Sequence, residues 1–597
     1  MASSRSPLPF EEAKSVMSTV MPMISHVYHR PRTQRAKTIA YSAIFFFVVI
    51  VIYMTAPKSI EPDYWSTFPS QHPFPERPED AQVVLPQRPD ITLNDSLPHD
   101  LEKKNPYLHV LLPVQRSSRG LCRTIASGSI LHYPPPTLIG YGIESHGTEF
   151  SRMVTQLTRV RDYLNESKGV KDGDFILLVD ADDVFFQLPP QILVNRFQNI
   201  IRSNNARLLQ KYGYATVPGP DPGSPPVKVQ KYTQRVLFGA SKLCHSLSGD
   251  PGCTAVPESS LPPDVYGWKT DSQSDGIKNR PRWLNSGAVM GQAADLRLIF
   301  NEVLHQIEKH TKEDPEYHIL THIFGRQEVV REIERLRTVN GAKEWFYQLL
   351  GISDKTNLAG LKVRLETGRR YEYGIGVDYE SQMFFNQFLS RKDVDWLDYS
   401  NISKSSSLQG QFGVPRERRL LLPSDIAALP SPFNQSLLAR EETASPEWNS
   451  TLDKFPNPDN HTWNHIPLMM NPYSASVPVL AHLNGDPKLR NAWWEEMWFF
   501  PWARALMRRN VRDAQGFDAA QSALLGGQDW WDMRGGRGGL WTDDKNWITF
   551  SEACEGHERD LFDDDLGPWN KENGDPDAPV YNRWGHLVYG KEEIKNE

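Results

Sequence analysis

The amino-acid sequence predicts an α/β fold with a mostly parallel central sheet. Apolar runs at 108–112 and 137–141 are typical of buried strands, and a third run at 174–179 is almost wholly apolar. Between the second and third runs, apolar residues recur every three or four positions from 149 to 164, which indicates a helix. Strand, strand, helix, strand is the order with which such folds begin.

The later chain adds elements of the same class. The segment 401–460 is rich in Ser, Pro and Asn, which predicts an insertion of surface loops. Residues 491–597 form a C-terminal extension rich in Trp and Gly, with an acidic tail and no repeat. The other predicted elements are a helix at 191–203, a strand at 235–240, a helix at 293–311 and a helix that begins at 379 and runs to 389.

The composition excludes two classes of protein. A hydrophobic content of 39%, with 17 Trp and 26 Phe, is too high for a disordered chain. A net charge of −7 gives no electrostatic footprint for nucleic acid. The four cysteines are too few for a disulfide scaffold and lack metal-site spacing. A disulfide between Cys244 and Cys253 and buried free thiols both remain open.

An uncharged apolar segment at 38–56 predicts one transmembrane helix. Such a helix is about 28 Å long, close to the thickness of a bilayer core. The residues before it are basic and those after it are acidic, which leaves a cytoplasmic tail at 1–37 and the rest of the chain on the other side. A cleaved signal peptide is the alternative, but the length of the preceding chain and of the apolar segment favours a retained anchor.

The proline-rich segment 57–104 predicts a stem that holds the following domain away from the membrane. N-x-S/T sequons follow the membrane segment and favour a lumenal location. This layout predicts a single-pass type II protein of the Golgi or endoplasmic reticulum membrane. The sequons are at Asn94, Asn165, Asn401, Asn434, Asn449 and Asn460.

An acidic turn follows the third apolar run directly and contains Asp180, Asp182 and Asp183. Ligands of open α/β sheets bind beyond the carboxyl ends of strands. Three carboxylates so close together repel one another unless a cation compensates them, and Mn²⁺ or Mg²⁺ bridging to a diphosphate would do so. Acidic residues also cap helices and decorate loops, but the position after a buried strand favours a metal site.

Two further segments contain candidate binding residues. In RWLNSG, Asn285 can hydrogen-bond sugar hydroxyls and Gly287 permits a close backbone approach, although the segment would also suit a turn into a strand. In HLNGDPK, His482 can supply a metal-binding nitrogen and Lys488 can neutralise a phosphate. A lone histidine is also common as a hydrogen-bonded structural residue.

Four segments occur in one order: FILLVDADDVFF, RWLNSGAVMG, ESQMFF and HLNGDPK. Together they resemble the glycosyltransferase domain of procollagen lysyl hydroxylases and the related procollagen glycosyltransferases, over about residues 105–490. The resemblance is to a stand-alone, membrane-anchored relative without the hydroxylase domain. It implies a GT-A fold, which is a Rossmann-like nucleotide-sugar-binding fold, with a UDP-sugar donor and Mn²⁺.

The resemblance also implies roles for single residues. Asp180, Asp183 and His482 match the metal ligands of the family, while Asp182 stands where the family usually has an aromatic residue. Near the altered acidic motif, Asp378 or Glu380 would contact sugar hydroxyls or act as the catalytic base. The residues expected to bind the donor are Asn285, Gly287, Asn484, Gly485 and Lys488.

These features predict a metal-dependent glycosyltransferase that moves a sugar from a UDP-sugar to a hydroxyl of a protein or glycan acceptor. The alternative is a non-catalytic lumenal scaffold or glycan-binding protein that retains the fold. Tryptophans after residue 490 would then stack on sugars, although such residues more often belong to a core. A hydrolase with paired carboxylates lacks a convincing second acidic cluster.

Overall fold

An eight-stranded sheet lies at the centre of the protein, as a computed structural model shows. Its strands, in order across the sheet, are β15 (Trp547–Thr549), β14 (Gly539–Thr542), β2 (Thr137–Ile139), β1 (Leu108–Pro113), β3 (Phe175–Val179), β8 (Trp283–Gln292), β7 (Val236–Ser241) and β9 (Ile375–Val377). β15 and β8 run against the other six strands. The predicted α/β class with a mostly parallel sheet is confirmed.

The structure describes most of the chain from residue 106 to residue 572, and two short strands beyond it, β16 (Val580–Tyr581) and β17 (Leu587–Val588). The predicted tail, transmembrane segment and stem, 1–104, lie outside the described residues. Among the residues that are described, no helix is both long and apolar enough to span a bilayer. The internal gaps are 144–147, 219–223, 247–248, 310–315, 339–364, 367, 416–417, 435–448, 513–533, 535, 563 and 570.

Helices cover both faces of the sheet. The helices are α1 (Arg119–Ile130), α2 (Glu149–Glu166), α3 (Pro190–Tyr212), α4 (Pro251–Thr254), α5 (Ala293–Lys309), α6 (Glu316–Thr338), α7 (Ile402–Gln411), α8 (Ser424–Ala427), α9 (Pro487–Glu496), α10 (Ala503–Arg512), α11 (Phe550–Cys554) and α12 (Arg559–Phe562). α1, α3 and α10 pack in the core on one face, and α2, α5 and α6 pack in the core on the other. The helix predicted at 191–203 corresponds to α3, which continues to Tyr212 and is longer than expected.

Because helices pack on both faces of the sheet, its central strands are continuous apolar runs in the sequence. In β3, Phe175, Leu177 and Val179 lie in one core, while Ile176 and Leu178 lie in the other. Side chains alternate between the faces of a strand, so a strand buried on both faces has no polar positions.

A smaller three-stranded sheet joins segments that are distant in sequence. Its order is β10 (Phe384–Asn386), β13 (Leu480–His482) and β4 (Val184–Phe186). β13 is parallel to β10 and antiparallel to β4, so that His482 lies beside Asn386 on one side and Val184 on the other. The remaining two-stranded sheets of the described residues are antiparallel: β5 (Tyr214–Val217) with β6 (Val227–Gln230), β11 (Asp395–Leu397) with β12 (Leu468–Met470), and β16 with β17.

The helix predicted at 379–389 is wrong, because this segment forms turns and β10. The buried carboxylate of Asp378 accepts hydrogen bonds from the backbone N–H groups of Gln382 (3.1 Å), Met383 (2.7 Å) and Phe384 (3.0 Å). Ser381 adopts a φ of 52°, outside the helical region. A side chain that binds nearby backbone donors competes with helix formation. At Asp378 these hydrogen bonds stabilise a turn instead of a helix.

Segments predicted as an insertion and as an extension pack in the main core. Leu408, Ile426 and Phe433 are buried in the core that also contains α1. Strands β14 and β15 extend the central sheet beside β2. Two disulfides form: Cys244–Cys253, and Cys122–Cys554, which joins α1 to α11 with a Cα–Cα distance of 5.6 Å.

Loss of the Cys122–Cys554 disulfide is expected to lower the free energy of unfolding by about 2–4 kcal/mol, because the bond closes a very long loop in the unfolded chain. The test is urea unfolding of the full-length protein with Cys122→Ser and Cys554→Ser together. The matched control replaces Cys244 and Cys253, whose sequence separation is 9 against 432. An equal or larger loss in the control would contradict the expectation.

Asp378 gives the fold a pH dependence. Burial raises the pKa of its carboxyl to about 6, against about 3.9 in an unfolded chain. Between these values the folded protein binds a proton that the unfolded chain does not, so the stabilising contribution is present below pH ~4 and is lost as pH rises through ~6. The stability advantage of wild type over Asp378→Asn should therefore shrink by about 3 kcal/mol from pH ~3 to pH ~7. A constant difference in chemical unfolding experiments would refute this.

Candidate metal centre

Asp180, Asp183 and His482 come together as the sequence predicts. One ligand atom from each of the three side chains lies within 4.8 Å of the others. Asp180 follows the carboxyl end of β3, Asp183 precedes β4, and His482 ends β13. The two sheets therefore meet at this point and build a possible metal-binding group from distant parts of the chain.

Backbone hydrogen bonds fix both aspartates. The N–H of Asp180 donates to the carbonyl of Gly287 in β8 (2.9 Å). The carbonyl of Asp183 accepts from the N–H of Leu483, directly after β13 (2.7 Å). Asp180 is thus held by β8, on which the His482 ring packs, and Asp183 is held by the residue that follows His482.

Asn285 fixes the orientation of the His482 ring. Its Oδ1 accepts from the backbone N–H of Gly287 (3.2 Å), which identifies this atom as the oxygen of the amide. The same oxygen lies 3.0 Å from Nδ1 of His482. Because an amide oxygen only accepts, Nδ1 carries a proton and Nε2 is the ring nitrogen that faces the two aspartates.

The contact between His482 and Asp183 suits a cation. Nε2 of His482 lies 3.3 Å from Oδ1 of Asp183, and this oxygen is buried without a hydrogen-bond partner among the described residues. When Nε2 is unprotonated, two electron-rich atoms face each other. A proton or a metal ion removes that repulsion, and imidazole with two carboxylates is a donor set that fits Mn²⁺.

The pKa values of the two aspartates move in opposite directions. Protein packed around Asp180 raises its pKa, and the charge of Asp183 raises it further, although the side chain of Asp180 reaches solvent. Burial alone would raise the pKa of Asp183, but His482 and the charge of Arg490 outweigh it and lower that pKa. A divalent cation would hold both groups ionised.

Two glycines leave room for this arrangement. A Cβ on Gly287 would lie 2.0 Å from Cε1 of His482, so the ring packs directly on the backbone of β8. The close approach predicted at Gly287 is therefore made by the histidine ring. A Cβ on Gly120 in α1 would lie 2.0 Å from the carbonyl oxygen of Asp182, a constraint that the sequence reasoning missed.

Asp182 lies outside the metal-binding group. Its carboxylate accepts a hydrogen bond from the hydroxyl of Ser118, the N-cap residue of α1. Its backbone N–H donates to Oδ1 of Asp180 (3.0 Å). Asp182 shapes the acidic turn, and the pair formed by Asp180 and Asp183 is the one that the structure brings to His482.

The loop after His482 docks on the chain that follows β10. Oδ1 of Asn484 accepts from the N–H of Phe388 (3.2 Å), and the N–H of Gly485 donates to Oε1 of Gln387 (3.0 Å). Lys488 is exposed in the first turn of α9. The expected roles of Asn484, Gly485 and Lys488 at the donor stay predictions.

Asp378 and Glu380, the candidate catalytic residues, are not part of the group. Both oxygens of Asp378 accept backbone hydrogen bonds in the turn described above. The carboxylate of Glu380 accepts from Ser260 (2.9 Å) and from Gln382 (3.0 Å). These contacts stabilise the local chain conformation. The catalytic roles of Asp378 and Glu380 stay predictions.

Arg490 belongs to the site but was missed from the sequence. Its Nη2 donates to Oδ2 of Asp183 (3.1 Å), and its Nε donates to the carbonyl of Leu483 (3.2 Å). The one available signal was the Asp486-Pro487 pair, which is typical of a helix start and places residue 490 in the first turn beside the loop.

Gly287→Ala is expected to weaken Mn²⁺ binding by roughly tenfold or more, because its Cβ displaces the His482 ring from the two aspartates. Calorimetric titration of the full-length protein with Mn²⁺ measures the change. The matched control is Gly410→Ala, since a Cβ there meets no atom within 4 Å. Unchanged Mn²⁺ affinity in Gly287→Ala would show that the ring is not a ligand.

Comparisons with known proteins assign no family. No model of a known protein family matches the chain. No curated protein matches it either. The geometry of the metal-binding group and the four sequence motifs are therefore the grounds for a functional proposal.

Proposed function

We propose that this chain is a metal-dependent glycosyltransferase of the GT-A type, which moves a sugar from a UDP-sugar to a hydroxyl of a protein or glycan acceptor. The main support is the group of Asp180, Asp183 and His482 at the carboxyl end of β3. Ligands of open α/β sheets bind at this edge. The segments that supply the group are also two of the four that resemble the procollagen glycosyltransferases.

The chain's own residues suit a catalytic rather than a purely structural metal. Asp183 and His482 are buried and tightly held, whereas Asp180 is exposed to solvent. A catalytic site keeps part of its metal accessible to substrate, while a structural site is closed by protein ligands. Mn²⁺ or Mg²⁺ bound there would offset the negative charge that develops on the diphosphate as its bond to the sugar breaks.

Two features support a location in the secretory pathway, in the Golgi or endoplasmic reticulum membrane with the enzyme domain in the lumen. All four cysteines are paired, as is usual in an oxidising compartment. The five sequon asparagines within the described residues are exposed and therefore accessible for glycosylation. They are Asn165, Asn401, Asn434, Asn449 and Asn460.

The alternative of a glycan-binding scaffold receives less support. Trp493, Trp494, Trp498 and Trp541 are buried in the protein. Their rings pack on other aromatic side chains, as Trp494 does on Phe185 with ring centroids 5.1 Å apart. A buried ring offers no face on which a sugar can stack.

Asp180→Ala is expected to abolish Mn²⁺-dependent hydrolysis of UDP-sugars and to weaken Mn²⁺-dependent UDP binding by roughly a hundredfold, because one metal ligand is lost. A panel of UDP-sugars and calorimetry with UDP measure the two effects on the full-length protein. A normal thermal unfolding transition shows that the variant is folded.

The control is Asp172→Ala, an exposed aspartate at the opposite end of β3 that pairs with Arg297. It should bind UDP as wild type does. If wild type binds no UDP in the presence of Mn²⁺, or if Asp180→Ala retains full turnover, the proposed function is wrong.

A further inference from the structure

Arg490 stands at the rim of the metal-binding group on a fixed support. It lies in the first turn of α9, which Asp486 caps by accepting from the N–H of Lys488 (3.0 Å). Its guanidinium donates to Oδ2 of Asp183 (3.1 Å) and to the carbonyl of Leu483 (3.2 Å). Two hydrogen bonds, one to the acidic turn and one to the loop after β13, therefore set the position of this cation.

The contact with Asp183 leaves the metal ligand atom available. Arg490 uses Oδ2, while Oδ1 faces His482 without a hydrogen-bond partner among the described residues. Arg490 thus adds positive charge beside the group without competing for the oxygen that faces it. The carboxylate is also held from one side, which restricts its rotation.

Part of the guanidinium remains open. Its side chain is 30% exposed, against 9% for Asp183. A guanidinium has five N–H donors, and within the described part of the chain the side chain of Arg490 uses two of them. The remaining donors are therefore available to a ligand that enters from solvent.

The charges of the site point to an anion as that ligand. Two carboxylates balance one divalent cation, so a nucleoside diphosphate on the metal would bring at least two uncompensated negative charges. Arg490 lies within hydrogen-bonding distance of a metal-site carboxylate, and the planar guanidinium fork matches phosphate oxygens. We propose that Arg490 binds the diphosphate of the donor nucleotide while it holds Asp183 in place; this inference rests on the proposed function.

The test is calorimetric titration of the full-length protein in detergent, first with Mn²⁺ alone and then with UDP at saturating Mn²⁺. Arg490→Gln should raise the Kd for UDP by roughly ten- to a hundredfold, the value of a charge-assisted hydrogen bond. Its Kd for Mn²⁺ should stay within about threefold of wild type, because all three ligand side chains remain and the lost restraint on Asp183 is offset by the removal of a positive charge beside the cation. Arg490→Lys, which keeps the charge, should recover part of the UDP affinity.

The matched control is Arg161→Gln in α2, whose side chain is 32% exposed and paired with Asp162. It should bind UDP as wild type does. An unchanged Kd for UDP in Arg490→Gln would overturn the proposal, and so would a loss of UDP binding accompanied by an equal loss of Mn²⁺ binding. Failure of wild type to bind UDP with Mn²⁺ would instead refute the proposed function itself.

Discussion

The pairing of β13 with β4 is the constraint on which the metal-binding group depends. It sets His482 opposite Val184, the residue after Asp183. A shift of one residue in this pairing would turn His482 to the other face of the small sheet. Both strands are buried throughout, so the close packing of Leu480 against its partner Phe186, rather than a choice between core and solvent, fixes the register. The hydrophobic core therefore determines where the imidazole lies.

Around that pairing, each ligand is restrained by a different neighbour. Asn285 orients the ring of His482, Arg490 holds one oxygen of Asp183, and the backbone of Gly287 holds Asp180. Such support reduces the reorganisation that metal binding requires. It also explains why Asp180 can remain exposed: its backbone is fixed even though its side chain is accessible.

Parts of this structure were readable from the sequence because local patterns determine them. β1 and β3 are buried on both faces, so their apolar runs were unambiguous, and the acidic turn follows β3 directly. The helix predicted at 379–389 was wrong because the Asp378 carboxylate accepts hydrogen bonds from three backbone N–H groups of that segment. The spacing of apolar residues carries no information about such a contact. Arg490 and Gly120 were missed because their partners, Asp183 and Asp182, meet them only in the folded chain.

Asn285 would join the proposed metal site to the proposed donor site through one side chain. The resemblance places it in the sugar pocket, whereas the structure commits its Oδ1 to His482 and to the N–H of Gly287. These roles are compatible, because an amide has two ends and Nδ2 makes no hydrogen bond with any described residue. A donor sugar that accepted from Nδ2 would fix the same amide plane that orients the histidine. The orientation of the metal-facing nitrogen and the placement of the sugar would then depend on a single side chain in β8.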